Sequence, residues 1–282
     1  MSRLCDLLVQ WNDSDKNSNI AYGLRFGELL EVYSRTYKAD KSVLEKMFEL
    51  YEKQASERRY LFQRVVERVD NVNRYMRLYN IIVPEVYCSV KVRIGPVNGS
   101  GKWMCNPFRI PEGSVVFSYG RHYEIFFELE LRKITSNCCF IFGLNDMEQS
   151  QKTQLRLSEL CAKSRRAKIN GTTGEESNKY TTDYLMDLND LGKVEILRMD
   201  IEGDGMDSLP EFLEKHHPAQ ILTTMHYSPP KMASLLNLFS RQGYWLFSHE
   251  IDGMFHDICA FSFIHISGFT RYGAVPLARF LS

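Results

Sequence analysis

Two rhythms of apolar and polar positions divide this chain. From Lys41 to Tyr79 there is no Gly or Pro, and apolar residues fall at Leu44, Phe48, Tyr51, Ala55, Phe62, Val65, Val69, Val72 and Met76. That spacing of fours and threes, broken only by Arg58, predicts a long amphipathic helix. Its stripe suits either coiled-coil-like self-association through residues 41–79 or packing on the domain that follows. The opposite face (Glu45, Lys46, Glu49, Lys53, Glu57) reads as solvated surface. Residues 1–35 carry no sustained pattern.

Past Pro84 the rhythm changes to short strands alternating with helices. Strands are expected at 115–120, 138–143, 167–170, 194–200, 219–225, 244–249 and 257–266. Helices are expected at 124–133, 147–160, 181–189, 208–215 and 229–241. Thr181 or Thr182 supplies an N-cap, and Pro229-Pro230 and Gly243 bracket the last helix. Such alternation builds a mostly parallel sheet covered on both faces by helices. Only the turn Asp252-Gly253 joins the last two strands, so one edge is expected to be an antiparallel hairpin. Two units follow: an N-terminal helical segment, 1–80, and an α/β domain, 81–282.

The most informative run is Val194-Glu-Ile-Leu-Arg-Met-Asp-Ile-Glu-Gly203, a buried-strand pattern that stops at Asp200 and Glu202. In open α/β sheets ligands bind outside the carboxyl ends of the strands, so acids there are candidates for chemistry. Asp200, Glu202, Asp204, Gly205, Ser208 and Glu211 also match an EF-hand calcium loop. Against that stand the strand-like lead-in, Asp207, Pro210 and the lack of a second hand. Ser118-Tyr-Gly120 closes the first strand and Glu124 opens the next helix; glycine there admits a ligand close to the backbone. Asn145 and Asp146, at the tip of the second strand, are candidates for bonding ribose hydroxyls. His226, just past the fifth strand, is a candidate general base, with a hydrogen-bonded rim histidine as the plainer reading. There is no G-x-G-x-x-G, no P-loop and no G-x-S-x-G elbow.

Composition narrows the picture. The 282 residues are 44% hydrophobic and 25% charged, ordinary for a folded protein. Thirty-five basic residues balance 35 acidic ones, so no whole-chain field favours nucleic acid or anionic lipid. No apolar run approaches the ~20 residues of a membrane span, and the start lacks a convincing signal peptide. As written, a soluble, cytoplasmic chain is expected, or a secretory-pathway lumenal one if the start is truncated. None of the seven cysteines forms a C-x-x-C pair, so no metal site is expected. Cys139 and Cys259 lie in strand-like runs and are expected to be small buried hydrophobes. Cys88 and Cys105 bracket a Gly-rich loop, as thiols in the cytosol or a pair in an oxidising compartment.

From about Tyr87 onward the chain resembles animal methyltransferase-like proteins whose methyltransferase domain is related to the FkbM type. The residues that carry this are Cys88, Lys91-Val-Arg-Ile-Gly95, Gly101-Lys-Trp103, Cys105, Val116-Phe-Ser-Tyr-Gly120 and Phe127-Glu128. Further on are Leu197-Arg-Met-Asp-Ile-Glu-Gly203, Gly243-Tyr-Trp-Leu-Phe247, Phe263-Ile-His265 and Tyr272-Gly-Ala-Val-Pro276. The resemblance implies a seven-stranded Rossmann-like fold and S-adenosylmethionine as cofactor. By that analogy Ser118, Gly120 and Glu124 border the methionine end of the cofactor, Asn145 or Asp146 its ribose. Asp200, Glu202 and His226 face the transferred methyl, with Asp200 or His226 as base and Glu202 orienting. The acceptor is expected to be oxygen on a small molecule or glycan. Gly99-Ser100-Gly101 replaces the family's Asp-Gly-Gly, and Asp204-Gly205 departs from the family's usual continuation. A catalytically inactive binding or scaffold protein on the same fold is therefore the second hypothesis.

Overall fold

The computed structural model describes residues 41–282 except 68–74, 98–99, 121–124, 137–138, 146–148, 160–161, 175–178, 190 and 201–202. Helices α1 (Lys41–Glu67) and α2 (Tyr75–Ile81) precede short strands β1 (Val86–Cys88), β2 (Lys91–Ile94) and β3 (Lys102–Cys105). Next come β4 (Val115–Gly120), α3 (Phe126–Ile134), β5 (Phe140–Asn145), α4 (Gln151–Glu159) and β6 (Ala162–Arg166). β7 (Lys168–Ile169), β8 (Lys179–Tyr180) and α5 (Thr182–Leu188) lead into β9 (Val194–Asp200). α6 (Leu209–Lys215), β10 (Gln220–His226), α7 (Pro229–Arg241), β11 (Tyr244–Ile251) and β12 (Ile258–His265) follow. The chain closes with α8 (Phe269–Tyr272) and β13 (Ala274–Pro276).

Seven strands form one sheet in the order β11-β12-β10-β9-β4-β5-β6. The pairs β4–β5, β5–β6, β4–β9 and β9–β10 are parallel, whereas β12 runs antiparallel to both β10 and β11. This is the Rossmann-like methyltransferase arrangement: a mostly parallel sheet that ends in an antiparallel hairpin. Strand order reverses between β4 and β9, the topological switch point where such sheets open a ligand crevice.

Alternate residues of each central strand serve opposite faces, as the period of two requires. Phe117, Tyr119, Phe142, Leu144, Leu197 and Met199 pack in one cluster with α5, α6 and α7. Val116, Ile141, Ile196 and Leu222 pack in the other with Phe127 and Leu131 of α3. Both faces are buried, which is why these strands read as near-continuous apolar runs. Thr181 caps α5, its side chain accepting from the Tyr184 N–H at 3.2 Å.

Several expectations shift. Of the long helix expected over 41–79, Lys41–Glu67 and 75–79 are helical, and 68–74 lie outside the described residues. Phe48, Ala55 and Phe62 of its stripe are buried, and α1 lies against α2 and α7. The second strand is displaced two residues, to Phe140–Asn145, so Asn145 ends the strand instead of following it. The short strand expected at 167–170 forms at Lys168–Ile169 but pairs with β8 in a separate two-stranded sheet. The main-sheet strand Ala162–Arg166 was not expected, its K-S-R-R composition carrying no apolar run. Val194–Asp200 is a fully buried central strand, whereas an EF-hand requires a helix there.

Cys88 and Cys105 form a disulfide joining β1 to β3. Cys139 and Cys259 are buried, as expected; Cys139 is in addition disulfide-bonded, while Cys259 is free.

Candidate active site

Register and alternation bring the candidate residues to one face of the sheet at its carboxyl edge. Gly120 pairs with Asn145 and Ser118 with Gly143 across β4–β5. Ser118 also pairs with Arg198 across β4–β9, and Asp200 with Thr224 across β9–β10. His226 lies two residues beyond Thr224 and so shares its face. Five expected site residues thus converge: Ser118, Gly120, Asn145, Asp200 and His226. Glu124, Asp146 and Glu202 lie outside the described residues.

Asp200 is buried at the tip of β9 and is held by two cations. Lys102 Nζ of β3 lies 2.8 Å from its Oδ1, and Arg198 Nη2 pairs with its Oδ2. Arg198 reaches on to Glu128 of α3, Nη1 to Oε1 at 2.8 Å, and its guanidinium sits over the Phe127 ring, 5.0 Å from the centroid. Ser118 Oγ donates to the same Glu128 oxygen. The result is a buried, charge-balanced network of two cations and two carboxylates under the switch point. Buried charges persist only when paired in this way.

Burial alone raises the pKa of Asp200, but Lys102 and Arg198 more than offset it and bring the value from 3.8 down to about 2. Burial lowers the pKa of Lys102, with Arg198 acting in the same direction and Asp200 against it. Asp200 is therefore a fixed negative charge at neutral pH and a weak base. Oε2 of Glu128 is buried with no hydrogen-bond partner among the described residues. Glu128 lines a narrow cleft together with Ser118, Gly120, Asn145, Ile141 and Leu157. A Cβ on Gly120 would stand 3.3 Å from Arg198 Nη1, a tight contact that explains the small residue.

One strand further along, His226 Nε2 lies 2.8 Å from Asp257 Oδ2, and both side chains are partly exposed. Asp257 thereby holds the His226 ring in a fixed orientation at the rim of the sheet. Tyr79 donates to the His256 carbonyl at 2.7 Å, so α2 braces the segment that carries Asp257.

Reasoning from sequence singled out Asp200 and His226 without the residues that control them. Lys102 and Glu128 enter the sequence reading only through the resemblance, Arg198 only as a member of the β9 run, and Asp257 has no site role there. Arg198 did leave a signal: a lone guanidinium inside an otherwise apolar strand demands a buried partner.

A family described as a methyltransferase domain matches residues 29–265 of this chain. With most of its length covered, the chain belongs to that methyltransferase-domain family. No curated protein matches it. Among solved structures, the Methanococcus jannaschii fibrillarin pre-rRNA processing protein is similar at TM-score 0.39 and 11% identity, over 65% of this chain and 86% of that one. A putative ribosomal RNA methyltransferase from Plasmodium falciparum scores 0.39 at 10% identity, over 60% and 89%. Precorrin-6y C5,15-methyltransferase from Geobacter metallireducens scores 0.34 at 10% identity, over 56% and 82%. Likenesses this distant carry no functional argument.

Proposed function

We propose that this chain is an S-adenosylmethionine-dependent methyltransferase of the FkbM-related animal type, acting on oxygen of a small molecule or glycan. One observation carries the assignment: Glu128 lines the cleft with Gly120 and Asn145, and one oxygen of its buried carboxylate, Oε2, has no hydrogen-bond partner among the described residues. An ammonium such as the cofactor's methionine end carries would satisfy it. Asn145 offers an amide to the ribose hydroxyls, and Ile141 and Leu157 offer apolar walls to the adenine. Glu124, Asp146 and Glu202 are proposed to complete the cofactor and methyl ends. The cleft holds only about 20 Å³ of free space, room for roughly one water, so binding requires its walls to part.

When bound, the cofactor supplies an electrophilic methyl on a sulfonium. The protein's share is to align the acceptor and remove its proton. His226, oriented by Asp257, takes that proton. Asp200, an ionised weak base, keeps Lys102 and Arg198 in place and contributes fixed charge beside the methyl. The disulfides of Cys88–Cys105 and Cys139 favour maturation in an oxidising compartment. Within the N-terminal segment 1–80, helices α1 and α2 are proposed to serve the domain 81–282 as a packed arm. Its outward positions Val43, Leu50, Tyr60 and Leu61 remain for self-association.

The test is transfer itself. The full chain is incubated with methyl-labelled S-adenosylmethionine and fractionated small-molecule and glycan extracts. Label appearing in one fraction, and lost with His226→Gln, is the expected result. Cofactor binding with no label in any fraction would leave a binding or scaffold protein.

A further inference from the structure

Away from the cofactor cleft, a cavity of about 380 Å³ is lined by residues of α1, the outer sheet strand β11 and the C-terminal residues. Its walls are apolar, formed by Val83, Val86, Phe247, Leu277, Ala278 and Phe280. That volume lies within the usual range for small-molecule pockets, and an apolar lining with few polar groups is their usual character.

The charges at this cavity have one sign. Arg58 of α1 and Lys91 of β2 line it, and no Asp or Glu does. Neither cation has a carboxylate partner among the described residues. Arg58 Nη1 donates to the carbonyls of Asn80 and Ile81, at 3.1 and 2.6 Å. Lys91 Nζ lies 3.5 Å from Ser248 Oγ and 4.8 Å from the centre of the Trp103 ring. Glu85 is next in sequence to two wall residues, yet it faces away. Its carboxylate accepts the N–H groups of Leu246, Phe280 and Leu281. An apolar chamber with two unneutralised cations selects a molecule with an apolar body and one anionic end.

We propose that this cavity binds an amphipathic carboxylate, its chain among Val86, Phe247 and Phe280 and its carboxylate between Arg58 and Lys91. Because its walls come from α1, β1, β11 and the C-terminal residues, the ligand bridges the N-terminal helix to the sheet. Binding therefore stabilises the folded chain in proportion to occupancy. The site is independent of the methyl-transfer assignment.

Decanoate serves as the probe, titrated into the full chain by calorimetry, with 1-decanol and decyltrimethylammonium as neutral and cationic controls. Saturable binding of one decanoate per chain is expected, at least ten-fold tighter than either control, with a rise in thermal midpoint. Lys91→Gln is exposed and spares the packing; it should weaken decanoate several-fold and leave decanol unchanged. Arg58→Gln should do the same, with its midpoint monitored because it also loosens α2. Ala278→Leu, which fills the chamber, should abolish binding of all three. Absence of saturable decanoate binding, equal affinity for the three probes, or an undiminished Lys91→Gln would each overturn the proposal.

Discussion

The ammonium of Lys102 lies 2.8 Å from Asp200, tying the β2–β3 hairpin to the tip of the central strand β9. Both groups are buried, so the contact is a fixed part of the site. Breaking one side of such a pair leaves the other charge stranded. Lys102→Met should therefore cost about 3 kcal/mol in urea unfolding. Adding Asp200→Leu should recover part of that loss. A Lys102→Met chain as stable as the parent would mean that the pair does not form.

The same pair sets the acid limit of the fold. Asp200 has a folded pKa of about 2 against 3.8 ordinarily, so its stabilisation is complete above pH 3.8 and is lost as pH falls through 2. The size is on the order of 2 kcal/mol. Urea midpoints measured at successive pH values between 5 and 2 should fall for the parent and fall less steeply for Asp200→Asn.

A second pH window comes from His265, at the amino end of the sheet. Burial, reinforced by His217 and Lys193, lowers its pKa from 6.5 to about 4. A depressed histidine leaves stability intact above pH 6.5 and removes it progressively down to pH 4, by roughly 3 kcal/mol. His265→Asn should flatten stability across that interval, followed by thermal melting at constant ionic strength.

Glu85 fastens the C-terminal residues. Its carboxylate accepts from Leu246, Phe280 and Leu281 at 3.2, 2.7 and 2.9 Å. Glu85→Ala strands three buried N–H groups and should cost about 3 kcal/mol. Hydrogen exchange should speed up at Phe280 and Leu281 more than in β9; uniform exchange across the chain would contradict this role.

Much of the architecture was legible because strands buried on both faces leave unmistakable apolar runs. Val115–Gly120 and Val194–Asp200 are found where the sequence placed them. Ala162–Arg166 was not legible, since an edge strand with K-S-R-R composition carries no apolar run. In the site, Asp200 and His226 stood out because chain position alone put them at strand ends. Their partners Lys102, Glu128 and Asp257 come from a hairpin, a helix and the turn that leads into β12. Only the folded register brings these together, and no local pattern encodes it.

The central claim is that the cleft lined by Gly120, Glu128 and Asn145 takes S-adenosylmethionine. Calorimetric titration of the full chain tests it most directly, with Glu128→Gln alongside and its fold checked by urea unfolding. Saturable one-to-one binding, weakened about ten-fold in a folded Glu128→Gln chain, is the expected result. No heat at millimolar cofactor, or an affinity unchanged by the substitution, would contradict the assignment.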